Sequence, residues 1–176
     1  SSTTTISVVD AASDNNFDAV ADQTVSVSTT DDDVAGFTVV ELEGSTGVTE
    51  AGGTDTFTVV LNAQPDSDVV LSIISSDTGE ATVTSSLTFT SANWDTAQTV
   101  TVTGADDDLV DGTVSSTTTI SVVDAASDNN FDGVADQTVS VSTTDDDVAG
   151  FTIAETEGST GVDESGTTDT ITVVLN

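Results

Sequence analysis

The residues Thr143-Thr-Asp-Asp-Asp-Val-Ala-Gly-Phe-Thr152 repeat, letter for letter, those from Thr29 to Thr38. The duplication spreads outward from this stretch: Ser1 to Asn62 aligns with Ser115 to Asn176 without a gap, which sets a period of 114 residues. Eight of the 62 aligned positions differ: Ala19/Gly133, Val39/Ile153, Val40/Ala154, Leu42/Thr156, Thr49/Asp163, Ala51/Ser165, Gly53/Thr167 and Phe57/Ile171. The chain is therefore about one and a half units of a tandem array. Residues 1–33 hold the end of one unit, 34–147 one complete unit and 148–176 the start of the next. A unit of this length is of single-domain size and buries enough apolar surface to fold alone.

The charge is one-sided: 32 acids, no Lys, no Arg and no His, for a formal charge of -32. Nucleic acid, anionic lipid and phosphorylated substrates are excluded as direct partners, because each needs cationic side chains to approach a polyanion. Cations are the expected partner. The missing residues also remove a Cys nucleophile or disulfide, a His base and a Lys Schiff base, leaving carboxylate, hydroxyl, amide or bound metal. A two-carboxylate enzyme such as a glycosidase is the remaining catalytic reading, but the acids cluster beside one another at loop ends, and no catalysis is expected. Ser1 follows no initiator Met, apolar signal segment or basic leader, and no run is apolar for long enough to cross a bilayer. The expectation is an internal piece of a longer exported, cell-surface protein with no direct membrane insertion.

Thr or Ser alternates with Val, Ile, Leu or Phe at period two through most of the chain, and no stretch has helical spacing. The expected class is all-β. One unit offers seven strands separated by Gly, Asp, Asn and Ser clusters, as in an immunoglobulin-like sandwich. Strand A spans about Phe37 to Glu43, with Phe37 and Val39 inward. B (Asp55 to Leu61) turns Phe57, Val59 and Leu61 inward, and C (Val69 to Ser75) turns Val69, Leu71 and Ile73. D is broken into 81–83 and 87–90 with Leu87 and Phe89 inward, and E (Gln98 to Gly104) offers Val100 and Val102. F contributes Ile120 and Val122, and G contributes Val139 and Val141. Trp94, between D and E, reads either as a sugar-stacking platform or, more simply, as a cap on the core.

In an up-and-down succession of seven strands, loops A-B, C-D and E-F share one end of the sandwich with the exit of G. Glu50, then Asp106, Asp107, Asp108 and Asp111, then Asp145, Asp146 and Asp147 therefore converge there. So many carboxylates cannot all stay ionised at low dielectric without cations, and Ca²⁺, which takes six to eight oxygens in loose geometry, suits clustered Asp better than Mg²⁺. The alternative is a solvated acidic cap. Asp31, Asp32 and Asp33 form the same triplet at the end of the preceding unit. At the opposite end, loop F-G reads Asp128-Asn-Asn130-Phe-Asp132-Gly-Val134-Ala-Asp136. It resembles the opening of a calcium loop, with Asp128, Asn130, Asp132, the Val134 carbonyl and Asp136 as ligands, and reads equally as an Asn/Asp-rich hairpin turn. Thr143 to Gly150 is the whole linker to the next strand, too short to keep domains apart, so Ca²⁺ at the acidic end would fix the angle between neighbours.

Glu50-Ala-Gly-Gly-Thr-Asp-Thr-Phe-Thr-Val-Val-Leu-Asn62, Ser86-Leu-Thr-Phe-Thr-Ser-Ala-Asn-Trp-Asp-Thr-Ala-Gln-Thr-Val-Thr-Val-Thr-Gly104, Ala105-Asp-Asp-Asp-Leu-Val-Asp-Gly112 and the closing Asp triplet resemble Calx-β repeats. The form resembled is the one found in long tandem arrays in giant secreted bacterial surface proteins and adhesins. The resemblance implies a seven-stranded sandwich that binds Ca²⁺ at positions matching Glu50, Asp106 to Asp108, Asp111 and Asp145 to Asp147. Thr113-Val-Ser-Ser116 departs from it, where family members often carry further acids.

The expected function is a calcium-stiffened structural repeat of an extracellular rod, filament or surface layer. Its partners would be neighbouring identical repeats, with any carbohydrate or cell-surface ligand held by other domains. A carbohydrate- or ice-binding module, using loops or Thr-rich faces such as Thr99 to Thr103, is the alternative. Two readings stand for the end segments: the sequence is a window of a longer chain, or, in a polymer subunit, Ser1 to Thr30 and Phe151 to Asn176 together complete one sandwich, pairing head to tail between chains.

Overall fold

Alternating sequence gives an all-β molecule in the computed structural model, which describes residues 1–175; helical residues among them are confined to short 3₁₀ turns. Residues 1–33 form one unit: a hairpin of β1 (Ser2–Ile6) and β2 (Gln23–Val27), joined through a 3₁₀ turn at Asp10–Ala12.

The second unit begins at Val34 and contains a two-sheet sandwich. Its strands are β3 (Phe37–Glu41), β4 (Thr46–Thr49), β5 (Thr54–Leu61), β6 (Val69–Ser75), β7 (Ala81–Val83), β8 (Ser86–Phe89), β9 (Gln98–Gly104), β10 (Val114–Val122) and β11 (Gln137–Thr144). One sheet has the order β4-β11-β10-β6-β8 and the other β3-β5-β9-β7. A second hairpin follows, β12 (Phe151–Glu155) with β13 (Ile171–Leu175).

Every inward position expected of strands B to E is buried: Phe57, Val59 and Leu61 on β5, Val69, Leu71 and Ile73 on β6, Leu87 and Phe89 on β8, Val100 and Val102 on β9. Phe37, Ile120, Val139 and Val141 join them, and Val39, Val122 and Trp94 pack on this core from its margin. Trp94 thus takes the core-capping role, and its carbonyl accepts from the Leu61 N–H. Strand A differs from expectation. It ends at Glu41, and after the turn at Gly44 the chain starts β4, which crosses to the other sheet and pairs in parallel with β11. Strand D is also shared between sheets, β7 pairing with β9 and β8 with β6.

The turn after β4 lies hard against the end of β9. A Cβ on Gly104 would stand 2.0 Å from the Thr49 carbonyl oxygen, so only glycine admits this approach. That contact brings the end of β4 beside the loop between β9 and β10.

The two copies of the repeated sequence have opposite fates. Phe131 is 1 % exposed and Phe17, its counterpart, 57 %; Leu61 is 3 % exposed and Leu175 81 %. Residues 1–33 match β10–β11, and 148–175 match β3–β5, whereas β6 to β9 have no second copy in the chain. This corrects the expectation that the two end segments complete one sandwich. Together they would lack β6, to which β10 is hydrogen-bonded, and β9, to which β5 is.

Candidate metal centre at the acidic end

Strand parity builds the site. On β4 the inward residues are Thr46 and Val48, and the same alternation carries Glu50 inward, where it is 1 % exposed. On β11 the inward residues are Val139, Val141 and Thr143; continued past the strand, the alternation leaves Asp145 and Asp147 half-buried and Asp146 exposed. The parallel pairing of β4 with β11 extends one step further, the Glu50 N–H donating to the Thr144 carbonyl at 3.0 Å. Glu80, just before β7, is held by its own carbonyl, which accepts from the Ala105 N–H at 2.8 Å.

Carboxylate oxygens come within 4.8 Å of one another in two triads, Glu50 with Glu80 and Asp111, and Glu50 with Asp145 and Asp147. Calcium–oxygen distances of about 2.4 Å place opposite ligands roughly 4.8 Å apart, so the oxygens of either triad are close enough to share one Ca²⁺ ion. The Glu50 Oε2, Glu80 Oε2 and Asp147 Oδ2 atoms are buried without a hydrogen-bond partner. Buried carboxylate oxygens are costly in that state, and a bound cation satisfies them. The residues present therefore fit calcium.

The electrostatics agree with the geometry. Burial, then Asp111, Asp145, Glu80 and Asp107, push the Glu50 carboxyl up to about 7. Burial and then Asp111 raise Glu80, and burial and then Asp145 raise Asp147, on which Asp146, Asp108 and Asp106 also act. Asp145 shifts down, because the Gly112 and Asp147 N–H groups donate to it at 2.8 and 2.7 Å. It is the ionised anchor of the group, and it ties the loop carrying Asp111 to the exit of β11.

Of the expected ligands, Glu50, Asp111, Asp145 and Asp147 are brought together. Asp107 is half-buried and donates its field; its carboxylate accepts from the Leu109 N–H at 2.7 Å. Asp106, Asp108 and Asp146 are exposed at the same end. Glu80 was not among the expected ligands, although loop C-D was placed at this end. Asp31, Asp32 and Asp33 are exposed at the end of the first unit, where the Asp33 N–H donates to Asp31.

Loop F-G forms a hydrogen-bonded turn. Asp128 is buried, one oxygen accepting from the Asp66 and Ser67 N–H groups at 2.6 and 3.0 Å and the other from Asn130 at 2.9 Å. It caps the 3₁₀ turn Asn129–Phe131, which plants Phe131 in the core, while Asn130, Asp132 and Asp136 are exposed and Val134 packs on the core margin. Neither of the two triads found among the described residues includes them. These hydrogen bonds hold the Asp128 carboxyl below its usual range, so its stabilisation is present at neutral pH and lost as pH falls below about 3.8. An Asp128→Ala variant is expected to lose the same number of degrees of melting temperature in calcium as in EDTA. A loss confined to calcium would make this loop a metal site instead.

No family model matches the chain, and no curated protein matches it. Solved structures similar to it include the apo-form Calx CBD1 domain, with a TM-score of 0.45 and 16 % identity over 63 % of this chain and 98 % of that one. Domains 4 and 5 of the S-layer protein SbsC give 0.44 and 22 % over 72 % of this chain and 54 % of that one. The E. coli chaperone DraB gives 0.45 and 8 % over 66 % and 59 %. The chain thus spans little more than half the length of the DraB and SbsC chains.

Proposed function

We propose that the complete unit, residues 34–147, is a calcium-binding structural repeat of an extended extracellular rod, of the kind that forms adhesin stalks, surface filaments or surface layers of bacteria. One observation carries this: Glu50 is buried, has an oxygen without a partner, and faces Glu80, Asp111, Asp145 and Asp147 in a chain without a single cationic side chain. Glu50 belongs to both triads, so it is the natural bridge of two adjacent ions.

The close repetition, 54 of 62 aligned positions identical, supports a spacer, since length needs copies. Asp145 and Asp147 lie at the start of the short segment leading to the next unit, so an ion they hold restrains the chain where it leaves the domain. Calcium binds the folded arrangement and not the unfolded chain, which stabilises the domain and stiffens the array. The expected result is that excess EDTA lowers the melting temperature and shortens the maximum dimension of a multi-repeat array in X-ray scattering. Unchanged melting and scattering would overturn the proposal.

One arrangement favours the alternative of a carbohydrate- or ice-binding face. The four-stranded sheet aligns Thr82, Thr103 and Thr54 in one rank, with Thr56 opposite Thr101 and Thr58 opposite Thr99 in the next two. Thr is also what β-propensity places on an outer face. Inhibition of ice recrystallisation, or glycan binding lost on Thr101→Ala, would promote it over the calcium rod.

A further inference from the structure

The sandwich contains one parallel strand pair, and it joins the first part of the domain to the last. Thr46, Gly47, Val48 and Thr49 stand opposite Val141, Ser142, Thr143 and Thr144. At the near end, Gln137 Nε2 donates to the Phe37 carbonyl at 2.5 Å, so β3 and β4 advance in turn along β11 in its own direction. The chain therefore comes in beside Gln137 and goes out beyond Thr144, at opposite ends of β11.

We propose that the β4–β11 pair is the clamp that carries tension across the domain, and that calcium held by Glu50, Asp145 and Asp147 at its far end is the lock on that clamp. In a rod under tension, force reaches the domain through Val34 and Asp147. On the entry side the pull first meets β3, which is hydrogen-bonded to β5; once β3 is drawn off, it pulls β4 back toward its start while β11 is pulled forward beyond its end, so the two parallel strands are driven to slide past each other. Their hydrogen bonds run across this direction and are loaded together. The Glu50 N–H to Thr144 carbonyl bond adds to the ladder. Thr46, Val48, Val141 and Thr143 are buried behind it, so sliding also drags packed side chains through the core.

The second triad crosses this pair: Glu50 ends β4, while Asp145 and Asp147 follow β11. An ion bound there joins the two strands just where sliding would part them. The lock rests on the calcium proposal above; the clamp does not.

Direction of pulling separates the two. The chain has no cysteine, so handles can be placed at will. Val34→Cys with Val148→Cys loads the pair in shear, and Ser45→Cys with Ser140→Cys, both exposed positions, peels it open from one end. Forced unfolding is governed by the barrier along the direction of pulling, and bonds that share load resist more than bonds broken in sequence. The shear force is expected to exceed the peeling force by at least about twofold in single-molecule pulling. Millimolar calcium raises the shear force. Equal forces in the two directions would overturn the clamp. A shear force unmoved by calcium that calorimetry shows to be bound would overturn the lock alone. Absence of calcium uptake in calorimetry would overturn the lock together with the calcium proposal, and the directional comparison still decides the clamp.

Discussion

Replacing Glu50 with glutamine is expected to raise the melting temperature of the calcium-free protein and to abolish its rise with calcium. Both effects come from one oxygen. In the free protein Glu50 is a buried carboxyl pressed by Asp111, Asp145, Glu80 and Asp107, and an amide of nearly the same shape removes that repulsion and keeps the packing. In the calcium form the same carboxylate belongs to both triads, so its loss strips a charged ligand from each. Calcium affinity in such sites follows the number of charged ligands, and the variant's affinity is expected to fall roughly a hundredfold or more. For the unaltered domain, calcium at a hundred times its dissociation constant adds about 2.7 kcal/mol, or roughly 10 °C of melting temperature at this size. Calorimetry with and without EDTA reads both halves. A variant that still gains stability with calcium would remove Glu50 from the site, and one that melts lower in EDTA would show its carboxylate to be satisfied by the protein alone.

Glu50, Asp145 and Asp147 were legible as a group because connections alternate between the two ends of a sandwich, which put loop A-B and the exit of the last strand at one end; their burial follows from parity along β4 and β11. Inward positions alternate, and the alternation does not stop when a strand runs into acids. What hid Glu80 was weaker patterning: β7 is three residues long, too short for period two to declare which way its flanking residue points. Parity of the loops nevertheless put loop C-D at the acidic end, and that alone would have nominated it. The β4 strand was hidden for another reason. Thr46-Gly-Val-Thr49 has one large apolar residue and a glycine, and its place is fixed by the neighbouring strand β11 and by the approach of Gly104 to Thr49, both remote in sequence. The Asp128 loop shows the limit of a ligand pattern. The spacing that suits a calcium loop also suits an Asx-type cap, and the Asp66 and Ser67 N–H groups that Asp128 meets come some sixty residues earlier, where no local spacing shows them.

The calcium-free protein is expected to lose stability as pH rises from 6 to 8, and calcium to cancel or reverse that slope. Glu50 titrates at about 7 in the folded state against 4.5 in the unfolded chain. Between these values the folded state binds the extra proton, so stability is full below about 4.5 and falls as pH rises through about 7. Glu80 and Asp147, also raised, push the same way. Asp145 and Asp128 are lowered and act in the opposite sense, only below about 3.8. General repulsion within a chain of charge -32 develops as ordinary carboxylates ionise, and is complete well before pH 6, so the interval above it isolates the buried group. Calcium takes the ionised form and displaces the proton, so its affinity should increase up to about tenfold per pH unit below the Glu50 value and level off above it. Melting curves at pH 5, 6, 7 and 8 should therefore nearly coincide with and without calcium at the acid end and diverge toward pH 8. Parallel curves across the whole range would mean that calcium, if bound, is held by carboxylates already ionised on the surface and not by this buried group. The Glu50→Gln variant carries the internal control: its calcium-free melting temperature should lose most of its slope between pH 6 and 8, leaving what Glu80 and Asp147 contribute.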